Sequence, residues 1–372
     1  MIERLDDEYY MRLALELAAR ARGQTGVNPV VGCVIVKGGR IVGLGSHLRR
    51  GGAHAEIHAL HMAGEEARGA TVYVTLEPCS HHGLTPPCAD RLIEAGVARV
   101  VAAAADPNPK VSGTGLAKLR AAGIETAVGV LEAESRRLNE AFEKYIRTGL
   151  PFVTLKAAAT MDGRLSAASG DSRWVTGGAS REAVHTLRHR HDAIMIGAGT
   201  ALRDDPSLTT RTPVPGLNPV RIVVDSGLRL PLRLKVFTDG QAPTIVLAAR
   251  DADEGRKRAL EAAGVEVIGC EIRDGRIDLR DAMRKLGGRG IGSVLLEGGG
   301  RLNGAMLAAG LVDKIAVFYA PKIVGSAGTP LFDWPGAGRM AEAVRLERIE
   351  IERYGEDWCV TGYPERPEEG GV

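Results

Sequence analysis

The sequence predicts two α/β domains in succession, and three observations carry that expectation. After a leading helical segment, residues 30 to 130 follow the order β-β-α-β-α-β-α-β, which suits a sheet sandwiched between helices. The run Thr148-Gly149-Leu150-Pro151 then breaks helical periodicity. Beyond it strands and helices alternate again, and 372 residues are enough for both domains. The expected division is 1–147 and 148–364, followed by a tail at 365–372.

Residues 7 to 22 predict a helix, because Tyr10, Leu13, Ala14, Leu17, Ala18 and Ala21 form one apolar stripe, and Asp6 or Asp7 can cap it. Val30 to Val36 is a dense β-branched run. With the turn Gly38-Gly39 and the return Arg40 to Gly45 it reads as a hairpin. Helix Glu56 to Ala63, strand Thr71 to Leu76, helix Ala89 to Ala95, strand Val97 to Ala104, helix Gly115 to Ala122 and strand Glu125 to Val130 complete the first sheet. Glu132 to Arg147 is expected as one helix.

In the second domain the strands are expected at Phe152 to Ala158, Ala193 to Gly197, Val220 to Asp225, Thr244 to Ala248, Val265 to Ile268, Ser293 to Glu297 and Lys314 to Ala320. Helices are expected around 180–190, 253–263, 278–286 and 302–309. The Pro-, Glu- and Gly-rich tail from Pro364 is expected to be disordered.

Composition narrows the function classes. A net charge of +2 and an aromatic content of 4% argue against a nucleic-acid groove lined with stacking rings. No apolar run reaches the length of a membrane span, and early charges (Glu3, Arg4, Asp6, Asp7, Glu8) argue against a signal peptide. Five cysteines are few and odd in number, so a reducing, cytoplasmic setting is expected rather than a disulfide framework.

The chemistry is concentrated in His54-Ala55-Glu56, Pro78-Cys79 and Cys88. One imidazole and two thiolates fill three positions of a tetrahedral zinc and leave the fourth to water. Zinc acidifies that water to a pKa of about 7. Glu56, two residues past a ligand, is placed to move protons rather than to bind metal. This order is the signature of zinc nucleobase deaminases, which usually separate the two cysteines by two residues. Here the interval from Ser80 to Pro87 is far longer, so it must loop over the site, making His81, His82 and Pro86-Pro87 candidate pocket walls. The competing readings are buried structural cysteines, solvent-facing His54, His58 and His61, and a His54/His58 metalloprotease pair. The last is disfavoured because position 55 is Ala rather than Glu.

In the second half, Glu297-Gly298-Gly299-Gly300-Arg301 follows an apolar strand and opens a helix, a setting in which backbone N–H groups can meet a phosphate. Arg301 suits a 2′-phosphate. The dinucleotide fingerprint is incomplete, since position 303 is Asn. A structural turn is the alternative reading.

Taken together, Asn28-Pro29-Val30-Val31-Gly32, His54-Ala55-Glu56, Thr75 to Gly83, Thr85-Pro86-Pro87-Cys88, Asp106-Pro107-Asn108-Pro109, Met161-Asp162-Gly163-Arg164, Asp204-Asp205-Pro206 and Glu297-Gly298-Gly299 resemble the bacterial bifunctional riboflavin-biosynthesis deaminase/reductases, over nearly the whole chain. That resemblance implies a cytidine-deaminase-like α/β/α domain followed by a dihydrofolate-reductase-like α/β domain. It implies zinc-dependent hydrolysis of the 2-amino group of 2,5-diamino-6-(5-phosphoribosylamino)pyrimidin-4-one, then NADPH-dependent reduction of the ribosyl to a ribityl chain. One zinc per chain, a homodimer or larger assembly, and neither nucleic acid nor membrane as partner are implied with it.

Residue by residue, the resemblance implies Asn28 and His47 as pyrimidine contacts, with Asp106 and Asn108 lining the pocket. It implies Ala158, Trp174, Thr200, Asp204, Ser226 and the loop Gly299, Gly300, Arg301, Leu302, Asn303, Gly304 and Ala305 for NADPH. Ser172, Arg188, Leu208, Arg211 and Glu297 are implied as substrate contacts, the two arginines suiting a phosphate and Trp174 a flat ring. Asp204 and Glu297 both remain open as the group that assists hydride transfer. The family places Lys or Arg before Thr-Pro-Pro-Cys, near the substrate phosphate; this chain has Leu84 there, leaving Arg49 or Arg50 to supply charge. Two other functions stay open: a zinc nucleotide or nucleic-acid base deaminase with a non-catalytic C-terminal ligand-binding domain, and a non-enzymatic structural zinc protein.

Overall fold

The computed structural model describes residues 4–81, 86–108 and 111–365. His82, Leu84, Pro109 and the tail from residue 366 lie outside them. The chain divides into two compact units, Met1–Gly149 and Leu150–Val372. This is two residues beyond the expected boundary, because the last helix of the first unit runs through Thr148 and closes at Gly149, whose φ is 69°.

The first unit contains α1 (Asp7–Arg20), β1 (Gly32–Lys37), β2 (Arg40–Ser46), α2 (Ala55–Ala63), β3 (Thr71–Val74), α3 (Cys88–Ala95), β4 (Arg99–Ala102), α4 (Thr114–Ala121), β5 (Glu125–Val128), α5 (Glu132–Leu138) and α6 (Glu140–Thr148). Asp6 caps α1 by accepting from the Tyr9 N–H. The sheet order is β2-β1-β3-β4-β5, antiparallel through β3 and parallel beyond it. Alanines and leucines of α2, α3 and α4 pack on one face, while Tyr10, Met11 and Ala14 of α1 cover the other. α2 lies unusually close to β2: a Cβ on Gly45 would stand 2.0 Å from the Ala55 carbonyl oxygen. That approach seats the first turn of α2 firmly on the sheet.

One expected helix is two. Asn139, at φ −108° and ψ 19°, separates α5 from α6. Its buried amide accepts from the Val30 N–H at 2.8 Å and donates to the Val30 carbonyl at 3.0 Å. This pairing satisfies backbone groups just before β1, and periodicity within residues 132–147 carries no trace of it.

The second unit contains β6 (Phe152–Thr160), β7 (Arg164–Ser166), α7 (Gly178–His189), β8 (Ala193–Gly197), α8 (Ala198–Asp204), β9 (Val220–Val224), α9 (Lys235–Thr238), β10 (Thr244–Ala249), α10 (Glu254–Ala262), β11 (Glu266–Cys270), β12 (Ile272–Arg273), β13 (Arg276–Ile277), α11 (Leu279–Gly287), β14 (Ser293–Leu296), α12 (Gly300–Ala308), β15 (Lys314–Ala320), β16 (Thr329–Pro330), β17 (Leu346–Tyr354) and β18 (Asp357–Pro364). Among the described residues its main sheet has nine strands, ordered β11-β10-β9-β8-β14-β6-β15-β18-β17. Pairing is parallel except around β18. Both faces of the inner strands are apolar, as a helix-covered parallel sheet requires.

The hairpin β17–β18 is absent from the sequence expectation, which ended its strands at Ala320. β17 reads Leu-Glu-Arg-Ile-Glu-Ile-Glu-Arg-Tyr and is exposed along most of its length. A half-charged strand at a sheet edge gives little hydrophobic signal. A bulge between Glu347 and Glu350, with Arg348 at φ 47°, disturbs its alternation further.

Candidate active sites

The first site forms where α2 and α3 begin. His54 stands at the N-cap of α2, Glu56 lies in its first turn, Cys79 follows the end of β3 and Cys88 opens α3. The His54 Nδ1 is 3.2 Å from the Cys88 Sγ and 3.6 Å from the Cys79 Sγ, and the three ligand atoms lie within 4.8 Å of one another. Ligands of one tetrahedral zinc stand roughly 3.5–3.8 Å apart, given bonds of about 2.0–2.3 Å. The set therefore fits that ion in both chemistry and spacing. The Cys88 N–H donates to the Cys79 Sγ at 3.3 Å. Hydrogen bonds from Cys88 and His54 draw the Cys79 thiol down to about 4, while its bond with Cys79 and its burial push Cys88 up.

Glu56 is 3% exposed, and burial lifts its carboxyl to about 7 against the pull of His54. A carboxyl in that range can take up and release a proton at neutral pH. It faces a cavity of about 300 Å³ that is also lined by Asn28, His47, Arg50, His81, Asp106 and Asn108. Pro86 and Pro87 are not among the lining residues; Pro87 is instead the N-cap of α3. His47 donates from Nδ1 to the Ala53 carbonyl at 3.2 Å, leaving Nε2 to accept from the Asn28 amide at 3.3 Å. Burial lowers the His47 pKa, so its ring stays neutral and acts as a fixed polar contact. Of Arg49 and Arg50, the arginines left to supply charge in place of Leu84, Arg50 lines the cavity and Arg49 does not.

Sequence reasoning gave no role to Glu77. Its carboxylate accepts from the backbone N–H groups of Asp106 (3.2 Å), Gly113 (2.9 Å), Gly115 (2.9 Å) and Leu116 (3.2 Å). It thus caps α4 from outside and pins the segment carrying Asp106 and Asn108 to the zinc corner. Gly115 permits this, since a Cβ there would meet the Pro78 carbonyl oxygen at 1.9 Å. The signal lay in its position beside Pro78-Cys79.

The second site lies in the other unit, at the end of β14. Glu297 follows that strand and forms a two-pronged pair with Arg188 of α7, at 2.8 and 2.9 Å. The Arg188 Nη1 also donates to the Thr209 carbonyl at 3.0 Å. Lys156 of β6, which no motif singled out, brings its Nζ to 3.8 Å from Glu297. The parallel register sets Leu155 beside Leu296, so the next residues in each strand meet. Burial would raise the Glu297 pKa, but Arg188 and Lys156 overwhelm it and hold the carboxyl at about 2. Burial draws the Lys156 ammonium below its usual range.

Gly299 is the N-cap of α12, whose first turn carries no side-chain cap. A Cβ on Gly299 would lie 3.5 Å from the Thr200 Oγ1. The Arg301 side chain is largely exposed, with Asp333 3.5 Å away. A helix N-terminus without a side-chain cap, a glycine at the point of approach and the exposed Arg301 guanidinium fit a dinucleotide phosphate. Asn303 turns inward instead and donates to the Leu331 carbonyl at 3.2 Å, while Gly304 packs beneath Asp333 and Trp334. Trp174 is exposed with Arg181 stacked 4.7 Å from its ring, and the Asp204 carbonyl accepts from Arg173. Ser226 is exposed just past β9, Ala158 lies two residues beyond Lys156 on β6, and Ser172 is half-buried. Leu208 is buried in an apolar cluster, and Arg211 is exposed.

Two family models match the chain: the cytidine and deoxycytidylate deaminase zinc-binding region over residues 4–104, and the RibD C-terminal domain over residues 151–360. The riboflavin biosynthesis protein RibD of Escherichia coli (strain K12) is 46% identical over 368 residues, covering 96% of this chain and 99% of its own. That of Bacillus amyloliquefaciens is 43% identical over 365 residues, 98% of each. Among solved structures, Acinetobacter baumannii RibD superposes with a TM-score of 0.87 at 37% identity, over 97% of this chain and 99% of that one. The deaminase/reductase of Thermotoga maritima gives 0.84 at 37% identity, over 96% and 99%. The two units accordingly have the cytidine-deaminase-like and dihydrofolate-reductase-like folds. With both halves matched in order and nearly end to end, the chain belongs to the RibD family of bifunctional riboflavin-biosynthesis deaminase/reductases.

Proposed function

We propose that the two sites act in succession on one phosphorylated pyrimidine, and that the residues divide the work as follows. As a family member the protein is a zinc-dependent deaminase and an NADPH-dependent reductase of riboflavin biosynthesis. The substrate of the first reaction is 2,5-diamino-6-(5-phosphoribosylamino)pyrimidin-4-one. The observation that carries this reading is the convergence of His54, Cys79 and Cys88 on one point at the wall of a cavity that also holds a buried carboxyl and a neutral polar edge.

His54, Cys79 and Cys88 would hold the zinc, which when bound would supply an acidified water. Asn28 and His47 orient the pyrimidine edge. Glu56 would take up, one after the other, the two protons that the water loses as its oxygen becomes the carbonyl, passing the first to the ring nitrogen and the second to the departing amine. Arg50 meets the phosphate. Arg50→Ala is expected to raise the deaminase KM about tenfold or more, whereas Arg49→Ala changes it less than about twofold, in line with a charged hydrogen bond lost at only one of them. Equal effects from steady-state kinetics on the two variants would remove Arg50 from this role.

In the second site NADPH supplies the hydride. Thr200, Asp204, Ser226, Ala158, Trp174 and the start of α12 from Gly299 to Ala305 would hold it, with Asn303 and Gly304 shaping that stretch rather than touching the ligand. Arg188 and Arg211 grip the phosphate, and Ser172 and the backbone at Leu208 border the sugar. Of the two carboxylates left open, Glu297 is a poor proton donor, because its pair with Arg188 keeps it ionised. Lys156, whose ammonium burial already disfavours, is the better donor to the ring-opened sugar.

No helix among the described residues is long and apolar enough to cross a membrane, and all five cysteines are free. These facts support a cytoplasmic setting. A homodimer is supported by the edge strand β17, which leaves Ile349 and Ile351 exposed and carries both Glu and Arg for pairing across an antiparallel copy. Ile351→Lys is expected to shift the sedimenting species towards monomer. A monomeric wild-type protein would end that part of the reading.

A further inference from the structure

Helix α7 carries a run rich in His and Arg that sequence patterning alone would assign to a solvated face. The structure gives three of its residues one shared task. His185, Arg188 and His189 lie at spacings of three and four, so they project from one side of the helix. All three bond backbone groups of the segment from Thr209 to Leu217.

The Arg211 N–H donates to the His185 Nδ1 at 3.2 Å. The Leu217 N–H donates to the His189 Nδ1 at 3.0 Å. Arg188 donates to the Thr209 carbonyl at 3.0 Å. Within the segment, the Thr210 N–H donates to the Asn218 side-chain oxygen at 2.9 Å and its hydroxyl to the Leu217 carbonyl at 2.7 Å. A Cβ on Gly216 would come within 2.7 Å of the Thr210 methyl and 3.2 Å of the His189 Nδ1, so the loop is seated closely on the helix.

We propose that His185 and His189 are positioning residues of the reductase site: they latch the 209–217 loop to α7 so that Arg211 is held beside Arg188, ready for the substrate phosphate. The inference rests on the reading that Arg211 contacts that phosphate. Each histidine must present an unprotonated Nδ1 to do this. His185 does so at neutral pH, because burial and the charges of Arg188 and Arg211 lower its pKa to about 4. Holding the loop in the free enzyme removes an ordering cost that substrate binding would otherwise bear. Sequence-distant Arg188 and Arg211 thereby act as one fork, although only Arg188 sits on a regular element.

The test uses the full chain with zinc bound, supplied with the deaminated pyrimidine and NADPH. His189→Leu and His185→Leu are each expected to raise the KM for the pyrimidine about fivefold, the effect of one lost hydrogen bond, with a smaller change in kcat and in the KM for NADPH. Asn carries an acceptor oxygen at the position of Nδ1, so His189→Asn and His185→Asn are expected to restore KM to within about twofold of wild type. Leu variants with unchanged KM, or Asn variants no better than Leu, overturn the latch. Amide hydrogen exchange on the wild-type protein provides a readout independent of folding in the variants. The Arg211 and Leu217 amides should exchange slowly, and exchange as fast as in an open loop overturns the proposal. Arg211→Ala separates the two layers. An unchanged pyrimidine KM in that variant defeats the phosphate reading, while exchange at the backbone amides of position 211 and Leu217 would still report whether the loop is latched.

Discussion

Glu56→Gln is expected to abolish deamination, by about 10³-fold or more, while zinc content and NADPH-dependent reduction of the deaminated pyrimidine remain. The substitution is nearly isosteric, so the buried position beside His54 stays filled. What it removes is the only carboxyl in the first turn of α2 that can take and return protons, and general acid–base catalysis contributes about 10²–10⁴ per group. Because one residue serves both proton uptake and delivery to the leaving amine, the upper part of that range applies. The ligands His54, Cys79 and Cys88 are untouched, so metal analysis should still find one zinc per chain. Two results would change the reading. Retained deamination would remove Glu56 from the proton path. Loss of zinc and folding together would favour a structural metal and with it the non-enzymatic reading.

Glu297→Ala should destabilise the second unit by about 3–5 kcal/mol and eliminate reduction. Arg188 and Lys156 are both largely buried and face the same carboxylate. Removing it leaves two like charges without compensation in a poorly solvated place, which is where the large penalties for breaking a buried pair arise. All three tryptophans, Trp174, Trp334 and Trp358, lie beyond residue 150, so tryptophan fluorescence follows unfolding of this unit and not of the first. The wild-type pair also sets a pH dependence. The Glu297 carboxyl sits at about 2 in the folded protein, below its ordinary value of 4.5. Its contribution is therefore complete above about pH 4.5 and disappears as pH falls towards 2. Glu297→Ala should lack that acid-dependent component, and a variant as stable as wild type in urea would refute the pairing. In the same site Lys156→Met preserves length without the ammonium. It should lower the reductase kcat about 10²-fold while NADPH still binds, and an unaltered kcat would return the proton-donor role to Asp204.

The zinc site was legible because its ligands are fixed locally. His54 and Glu56 stand two residues apart at a helix start, Cys79 stands at a strand end beside a proline, and residue types alone define the metal chemistry. Glu77 sits in the same stretch, yet its role required knowing that Asp106, Gly113, Gly115 and Leu116 bring their N–H groups to it. Lys156 was harder still. In the sequence it is one cation in an apolar strand, and only the parallel register of β6 with β14 brings it to Glu297. Histidines 185 and 189 looked like part of a wet helical face until the loop that covers them was placed.

The sequence by itself determined the α/β class of both halves, most of the strands and helices, the His54, Cys79 and Cys88 set that could hold a metal, and the family. Each follows from periodicity or from short-range spacing, which the covalent chain enforces. The tertiary structure alone decided that Arg50 rather than Arg49 faces the cavity, that Asn139 breaks the last helix of the first unit, and that a charged edge hairpin completes the second sheet. It also decided which buried charges meet at Glu297 and how α7 holds its loop. The edge hairpin escaped because a half-charged, bulged strand carries little hydrophobic signal, while contacts such as Asn139 with Val30 or Arg188 with Glu297 join segments that no local pattern connects.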